Sequence, residues 1–299
     1  MNNLDESARK METSEIIASF WEKLPAMAKH LIQKTQDLGE ERNKNFLDNP
    51  DDYLEHQPNW HQWGIITHTK MFEHFYRKEI PKYLDQWGIQ DKFRAHMSQN
   101  IDGISKYELL NMSIPFHDLG KFTERQLNHE KDGSSSVSFY KHEAASGRII
   151  RTAEFSGMLK ESYDLTDEQI EYIARCAELH YELAIVRDAA KKSAMGYTIA
   201  FSQSEAFRER AKQLMAEYTD FQLEVGVLFL ADSMAKTDIR IDGETDGQIE
   251  DQDSLIKDLL EKRGLNPQLI KAVKQFPINR AIAENYLKAW AEDCEVGGS

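Results

Sequence analysis

Apolar residues along this chain recur mostly at intervals of three and four, the spacing that lines one face of an α-helix. Over residues 14–38 they fall at Ile16, Ile17, Phe20, Leu24, Met27 and Leu31. This predicts a helix that starts at Ser14 and Glu15 and is kinked by Pro25. NPDDYLEHQPNWHQWG (49–64) is dense in Pro, Asn and Asp and reads as a linker. Helical periodicity resumes in IITHTKMFEHFYRKEIPKYLDQW (65–87) and in YELLNMSIPFHDLGK (107–121). NHEKDGSSSVS (128–138) reads as a flexible loop, followed by helices in YKHEAASGRIIRTAEF and TDEQIEYIARCAELHYELA. The second of these starts at Thr166, with Glu168 in its first turn. Residues 204–239 form a long helical region, 240–253 an acidic, turn-rich stretch, and 253–295 a helical pair. No strong strand alternation and no internal repeat interrupts this pattern, so the predicted class is all-α.

The composition agrees with a well-folded helical protein: of 299 residues, 40% are apolar, 29% are charged, 15 are Gly and 7 are Pro. The net charge of −14 works against non-specific attraction to a nucleic-acid backbone or an anionic membrane. A small phosphorylated ligand remains compatible with it, because a bound metal reverses the potential locally. Cys176 and Cys294 form no CxxC, which points to a reducing compartment. The polar, acidic MNNLDESARKMETSE has neither signal-peptide nor transit-peptide character, and the longest apolar run, VGVLFLA, is too short to span a bilayer. The expectation is a cytoplasmic protein with no membrane contact; no feature fixes an oligomeric state. The acidic loop invites a calcium reading. Gly243 at the invariant glycine position puts Asp238 first and Asp242 fifth, but also Arg240 third and Ile249 where a bidentate Glu belongs. A cation at a ligand position defeats it, and a solvated loop is the better reading.

Metal-assisted chemistry on a helical scaffold needs imidazoles and carboxylates converging from inward faces of different helices. Of the ten histidines, His30, His56, His61, His74, His96 and His129 lie in polar or linker surroundings or lack a partner. His68, His117, His142 and His180 lie in apolar helical segments. Asp118 adjoins His117, and Asp232 emerges from the most apolar helix of the chain. Burying such a carboxylate unpaired costs several kcal/mol, so a metal, Lys or Arg must face it. Plainer readings exist for each residue. His117-Asp118 can be a helix-terminal pair with Gly120 in a turn, His142 a surface residue, His180 a histidine favoured by a helix dipole, and Lys121 a solvated charge. The aromatic cluster Trp60, Trp63, Phe72, Phe75 and Tyr76 reads as core packing rather than a base-stacking platform.

The order His68, His117-Asp118, His142, His180, Asp232 resembles the H…HD…H…H…D signature of the HD-domain metal-dependent phosphohydrolase superfamily. HDLGKFTERQLNHEKDGSSSVSFYKHEAASGRIIRTA, followed by LTDEQIEYIARCAELH, is similar to the HD domain of CCA-adding tRNA nucleotidyltransferases. It also shares HD-x-GK and a downstream HE with the HD nuclease of CRISPR helicases. The resemblance covers roughly 60–240. It implies an HD-domain helical bundle at 56–245, with helical extensions at 1–55 and 246–299.

The resemblance further implies a primary metal site of His68, His117, Asp118 and Asp232. Asp118 would bridge to a second metal held by His142 and His180, giving one or two divalent ions of Mn, Mg, Ni, Co, Fe or Zn. Lys121 and Arg125 would contact a substrate phosphate, and Asp118 or Glu143 would orient the attacking water. His61, seven residues before His68, is the alternative first ligand if the helix extends back. Departures narrow the match. No nucleotidyltransferase head precedes residue 60 and no helicase half is present, which excludes CCA addition and a complete CRISPR helicase. Tyr181 follows His180 where many HD phosphodiesterases have a second histidine, leaving the second ion open. The expected function is a phosphomonoesterase or phosphodiesterase acting on a nucleotide or other small phosphoester through metal-activated water. The alternatives are a di-iron oxygenase on the same ligands, a non-catalytic regulatory module, and a nuclease on single-stranded nucleic acid, which the charge disfavours.

Overall fold

The first predicted helix forms over Thr13–Thr35 and buries Ile16, Ile17, Phe20, Leu24, Ala28 and Ile32. A capping box between Glu12 and Glu15 starts it, and Pro25 lies inside it without ending it. In this computed structural model, which describes residues 11–129 and 135–296, helices account for most of the chain, as the periodicity predicts. Among the described residues the only sheets are two antiparallel hairpins of two strands each.

The long helical stretches divide at local signals. Residues 65–87 split into Ile65–Lys78 and Ile80–Gln86, the second with Pro81 in its first turn, where its missing N–H costs nothing. Residues 204–239 split into Glu205–Glu217 and Gln222–Ala235. The HD segment departs most from a continuous helix. A capping box of Ser105 and Glu108 starts Lys106–Ser113, a 3-10 turn follows at Ile114–Phe116, and a short helix runs over Gly120–Thr123. His117 and Asp118 therefore sit in an irregular turn, buried on all sides.

Two readings are corrected. The 128–138 stretch is a hairpin rather than a flexible loop: Gln126–His129 pairs with Ser135–Ser138, and Val137 is buried. Residues 130–134 lie outside the described residues. The 49–64 stretch is no solvated linker either. It contains a 3-10 turn at Tyr53–Glu55, and Glu55, His56 and His61 are all buried.

The helix Gln222–Ala235 is buried from Leu223 to its end, as a helix with apolar residues on every face must be, and it carries Glu224, Asp232 and Ser233 inside with it. It packs against Ile65–Lys78 on one side and Ile270–Val296 on the other. Gly226 permits the second contact, since a Cβ there would lie 2.5 Å from Leu287 Cδ2. One continuous core joins Phe20 near the N-terminus, Phe72 and Phe229 in the middle, and Tyr286 and Leu287 near the C-terminus. No helix of the described residues is long and apolar enough to cross a membrane.

Arg125 is part of this framework. Buried at the end of the HD segment, it donates to Glu55 and Asn43 and lies 4.6 Å from the centroid of the Phe46 ring. It thereby ties the Glu41–Asp48 helix and the following 3-10 turn to the Gly120–Thr123 helix. Breaking a buried ion pair costs about 3–5 kcal/mol. Arg125→Met should fall at the low end, because Arg42 still donates to Glu55 at 3.1 Å. Scanning calorimetry should show a melting temperature several degrees lower, whereas an unchanged value would show that the pair contributes little.

Candidate metal centre

Five separate elements bring the six predicted residues to one point. His68 comes from the first turn of Ile65–Lys78, His117 and Asp118 from the irregular turn, and His142 from the first position of His142–Arg151. His180 caps the C-terminus of Asp167–Leu179, and Asp232 projects from Gln222–Ala235. Asp118 is at the middle. Its Oδ2 lies 3.2 Å from His117 Nε2 and 3.5 Å from His68 Nε2, and its Oδ1 lies 3.3 Å from His142 Nε2 and 3.7 Å from His180 Nε2. Asp232 Oδ1 closes the group, 3.1 Å from His68 Nε2. Two overlapping ligand sets result, His68–His117–Asp232 and His117–Asp118–His180, each with donor atoms within 4.8 Å of one another.

The orientation of the rings follows from backbone carbonyls with a lone pair to spare. His117, His142 and His180 each place Nδ1 on the carbonyl three residues back: Ile114 at 2.7 Å, Phe139 at 2.8 Å and Ala177 at 2.7 Å. These carbonyls lie at helix ends or in turns; those of Ile114 and Phe139 also accept the backbone N–H of His117 and His142, at 3.3 and 3.2 Å, and a second lone pair is left for Nδ1–H. His68 lies in the first turn of its helix, where the Ile65 carbonyl already accepts from the Thr69 hydroxyl at 2.9 Å, and it uses instead the carbonyl of Ala235, at the end of the neighbouring helix, at 3.1 Å. A carbonyl only accepts, so each Nδ1 carries the proton and each Nε2 is directed at the carboxylates. Burial is the main influence on His68 and His180; it lowers both below the ordinary value, His180 to about 3. The neutral rings of His68 and His180, so oriented, aim bare lone pairs at carboxylate oxygens. Burial pushes Asp118 and Asp232 up, but Lys121 beside the first and Lys236 beside the second hold both well below the usual carboxylate range.

His117 Nε2 and Asp118 Oδ1 are buried with no hydrogen-bond partner. Buried polar atoms are almost always satisfied, and imidazole nitrogens facing carboxylate oxygens are satisfied together by a divalent cation. The residues present fit a metal ion.

A cleft of about 250 Å³ opens onto the centre, lined by His142, His180 and Asp232, by Trp60, Phe139 and Tyr181, and by the cations Lys121, Arg187 and Lys236. Lys121 reaches the centre as expected, but its ammonium already donates to Asp118 Oδ2 and His56 Nε2, each at 2.8 Å. His56 in turn bonds the Trp63 carbonyl through Nδ1 and stacks on His61 at 3.9 Å. Sequence reasoning set His56 aside and kept His61 only as an alternative first ligand. The cue it passed over was their place among Trp60 and Trp63, in a stretch too aromatic for a solvated linker. Between His61 and His68, only His68 touches the carboxylates; the helix begins at Ile65, so it does not carry His61 onto the same face.

Other expectations shift. Arg125 is consumed by Glu55 and Asn43 and lines no part of the cleft, which removes it as a phosphate contact. Glu143 lies 3.4 Å from His142 Nδ1 and faces an outer groove, leaving Asp118 as the central carboxylate. Of the aromatic cluster, Phe72 and Tyr76 are core residues while Trp60 lines the cleft. The glycine of HD-x-GK serves packing: a Cβ on Gly120 would lie 2.0 Å from the His142 carbonyl oxygen, and its N–H donates to Ser146 Oγ at 2.9 Å.

Comparison with protein-family models and with curated proteins finds no match for this chain.

Two outcomes follow from this geometry. Gly120→Ala should push apart the elements bearing Asp118 and His142, at about 1–3 kcal/mol, with loss of bound metal by elemental analysis. Full metal content in this variant would contradict the tight packing. The second outcome concerns acid. Because His180 titrates at about 3 when folded and near 6.5 when unfolded, the unfolded chain binds more protons between those values. The metal-free protein should therefore lose stability as pH falls from 6.5 towards 3, read as a falling urea midpoint; a flat profile would mean that the buried imidazole protonates freely.

Proposed function

We propose that the protein is a metal-dependent phosphohydrolase of the HD-domain type, acting on a nucleotide or other small phosphoester. The observation that carries this reading is the arrangement around Asp118, where four imidazoles anchored through Nδ1 present Nε2 to two buried carboxylates beneath a cleft with three cations. His68, His117, Asp118 and Asp232 would hold one ion, and Asp118, His142 and His180 a second. A bound divalent cation supplies a water acidified towards neutrality and polarises phosphoryl oxygens.

The chain's own residues account for the remainder. Asp118 presents a different oxygen to each histidine pair, the disposition of a bridging carboxylate. Lys121, fixed between Asp118 and His56, keeps a positive charge beside the centre. Trp60, Phe139 and Tyr181 wall the cleft and restrict water, which strengthens electrostatic interactions inside it. A volume of about 250 Å³ suits a small ester better than a duplex.

The same bridged set suits a pair of irons and oxygen chemistry. Cations in the cleft of a chain of net charge −14 favour the ester. Wild-type protein assayed on aryl phosphates and nucleotides with Mn, Mg, Ni or Co is expected to turn over. Asp118→Ala is expected to fall to the background rate and lose its metal. Wild-type turnover in that variant would refute the mechanism. A blank panel with stoichiometric iron pairs and oxygen uptake would establish the oxygenase instead.

A further inference from the structure

The three cations of the cleft are not equivalent. Lys121 donates to Asp118, and Lys236 lies 3.5 Å from Asp232 Oδ2 and donates to the Tyr181 hydroxyl at 3.3 Å. Among the described residues, Arg187 has no carboxylate partner. Its guanidinium is held 5.0 Å from the Tyr181 ring centroid and 5.5 Å from that of Tyr197. Tyrosine faces attract a cation and restrict its plane but take up no N–H. Both Nε and Nη2 of Arg187 are buried without a hydrogen-bond partner.

That pair of atoms is informative. Nε–H and Nη2–H lie on the same edge of a planar guanidinium and point in nearly the same direction. This is the fork that binds two oxygens of one phosphate or carboxylate. Buried charged donors are rarely left unsatisfied, so an open fork on the wall of a cleft marks the place of a ligand group. The same cleft contains His142, His180 and Asp232 of the metal centre.

We propose that Arg187 is the residue that grips the anionic group of the substrate, donating from its Nε–Nη2 edge to two oxygens of a phosphoryl group. This takes the role that the sequence pattern assigned to Arg125. Naming the group as phosphoryl rests on the phosphohydrolase reading. The two lysines neutralise the buried carboxylates, while Arg187 contributes the charge left for the ligand. Tyr181 stacks beside it and sets its plane.

Isothermal titration of the manganese-loaded full chain with inorganic phosphate tests this, using wild type, Arg187→Lys and Arg187→Met. The lysine variant keeps the charge and loses the fork; the methionine variant loses both. Phosphate affinity should weaken about 10–100-fold in Arg187→Lys and further in Arg187→Met, at unchanged metal content. For an aryl phosphate, KM should rise in parallel with kcat altered less. Wild-type phosphate affinity in both variants, or no phosphate binding by the wild type, overturns the proposal. Phosphate binding through Arg187 without turnover would instead leave Arg187 in place and remove the hydrolase reading.

Discussion

Two carboxylates, Asp118 and Asp232, are buried where five structural elements meet, and most of the remaining architecture answers to that fact. A buried carboxylate is tolerated only when cations and hydrogen bonds surround it. Lys121 and Lys236 supply part of the compensation, at 2.8 Å and 3.5 Å. The four imidazole Nε2 atoms around the carboxylates add none while their rings are neutral. The centre is thus a set of acceptors packed together, a donor set that could hold a metal ion.

The rings hold their orientation through a recurring local device. At three positions a histidine turns its Nδ1 back onto the carbonyl three residues before it, using a lone pair that no helical ladder takes up. Helix ends provide such carbonyls without cost to the helical hydrogen-bond ladder. His68, inside a helix, borrows the terminal carbonyl of its neighbour. Secondary-structure boundaries are therefore part of the site, and the breaks in the HD segment serve it. Had residues 107–121 continued as one helix, the Ile114 carbonyl would have been committed to the ladder.

A second layer positions the first. His56 receives a hydrogen bond from Lys121 and packs on His61, while Gly120 lets its backbone approach that of His142. Arg125 and Glu55 secure the segment that delivers His56, so a residue expected at the substrate works one layer behind it. Its place in the cleft belongs to Arg187, which the sequence offered no means of distinguishing. Seven residues after His180, in VRDAAKK, it reads as one charge of a solvated helical face.

Helical class, most element positions and the six converging His and Asp residues were legible in the sequence. Apolar periodicity and a polar residue in an apolar segment both report burial along a single element, which needs no knowledge of its neighbours. Tertiary structure alone decided which cations remain free. That depends on partners distant in the chain, such as Glu55 for Arg125 and the faces of Tyr181 and Tyr197 for Arg187. It also turned the 49–64 stretch inward, because burial there is imposed by the elements packed around it and leaves no period behind. The histidines at the centre were marked by their own segments; those that support them were marked only by what they touch.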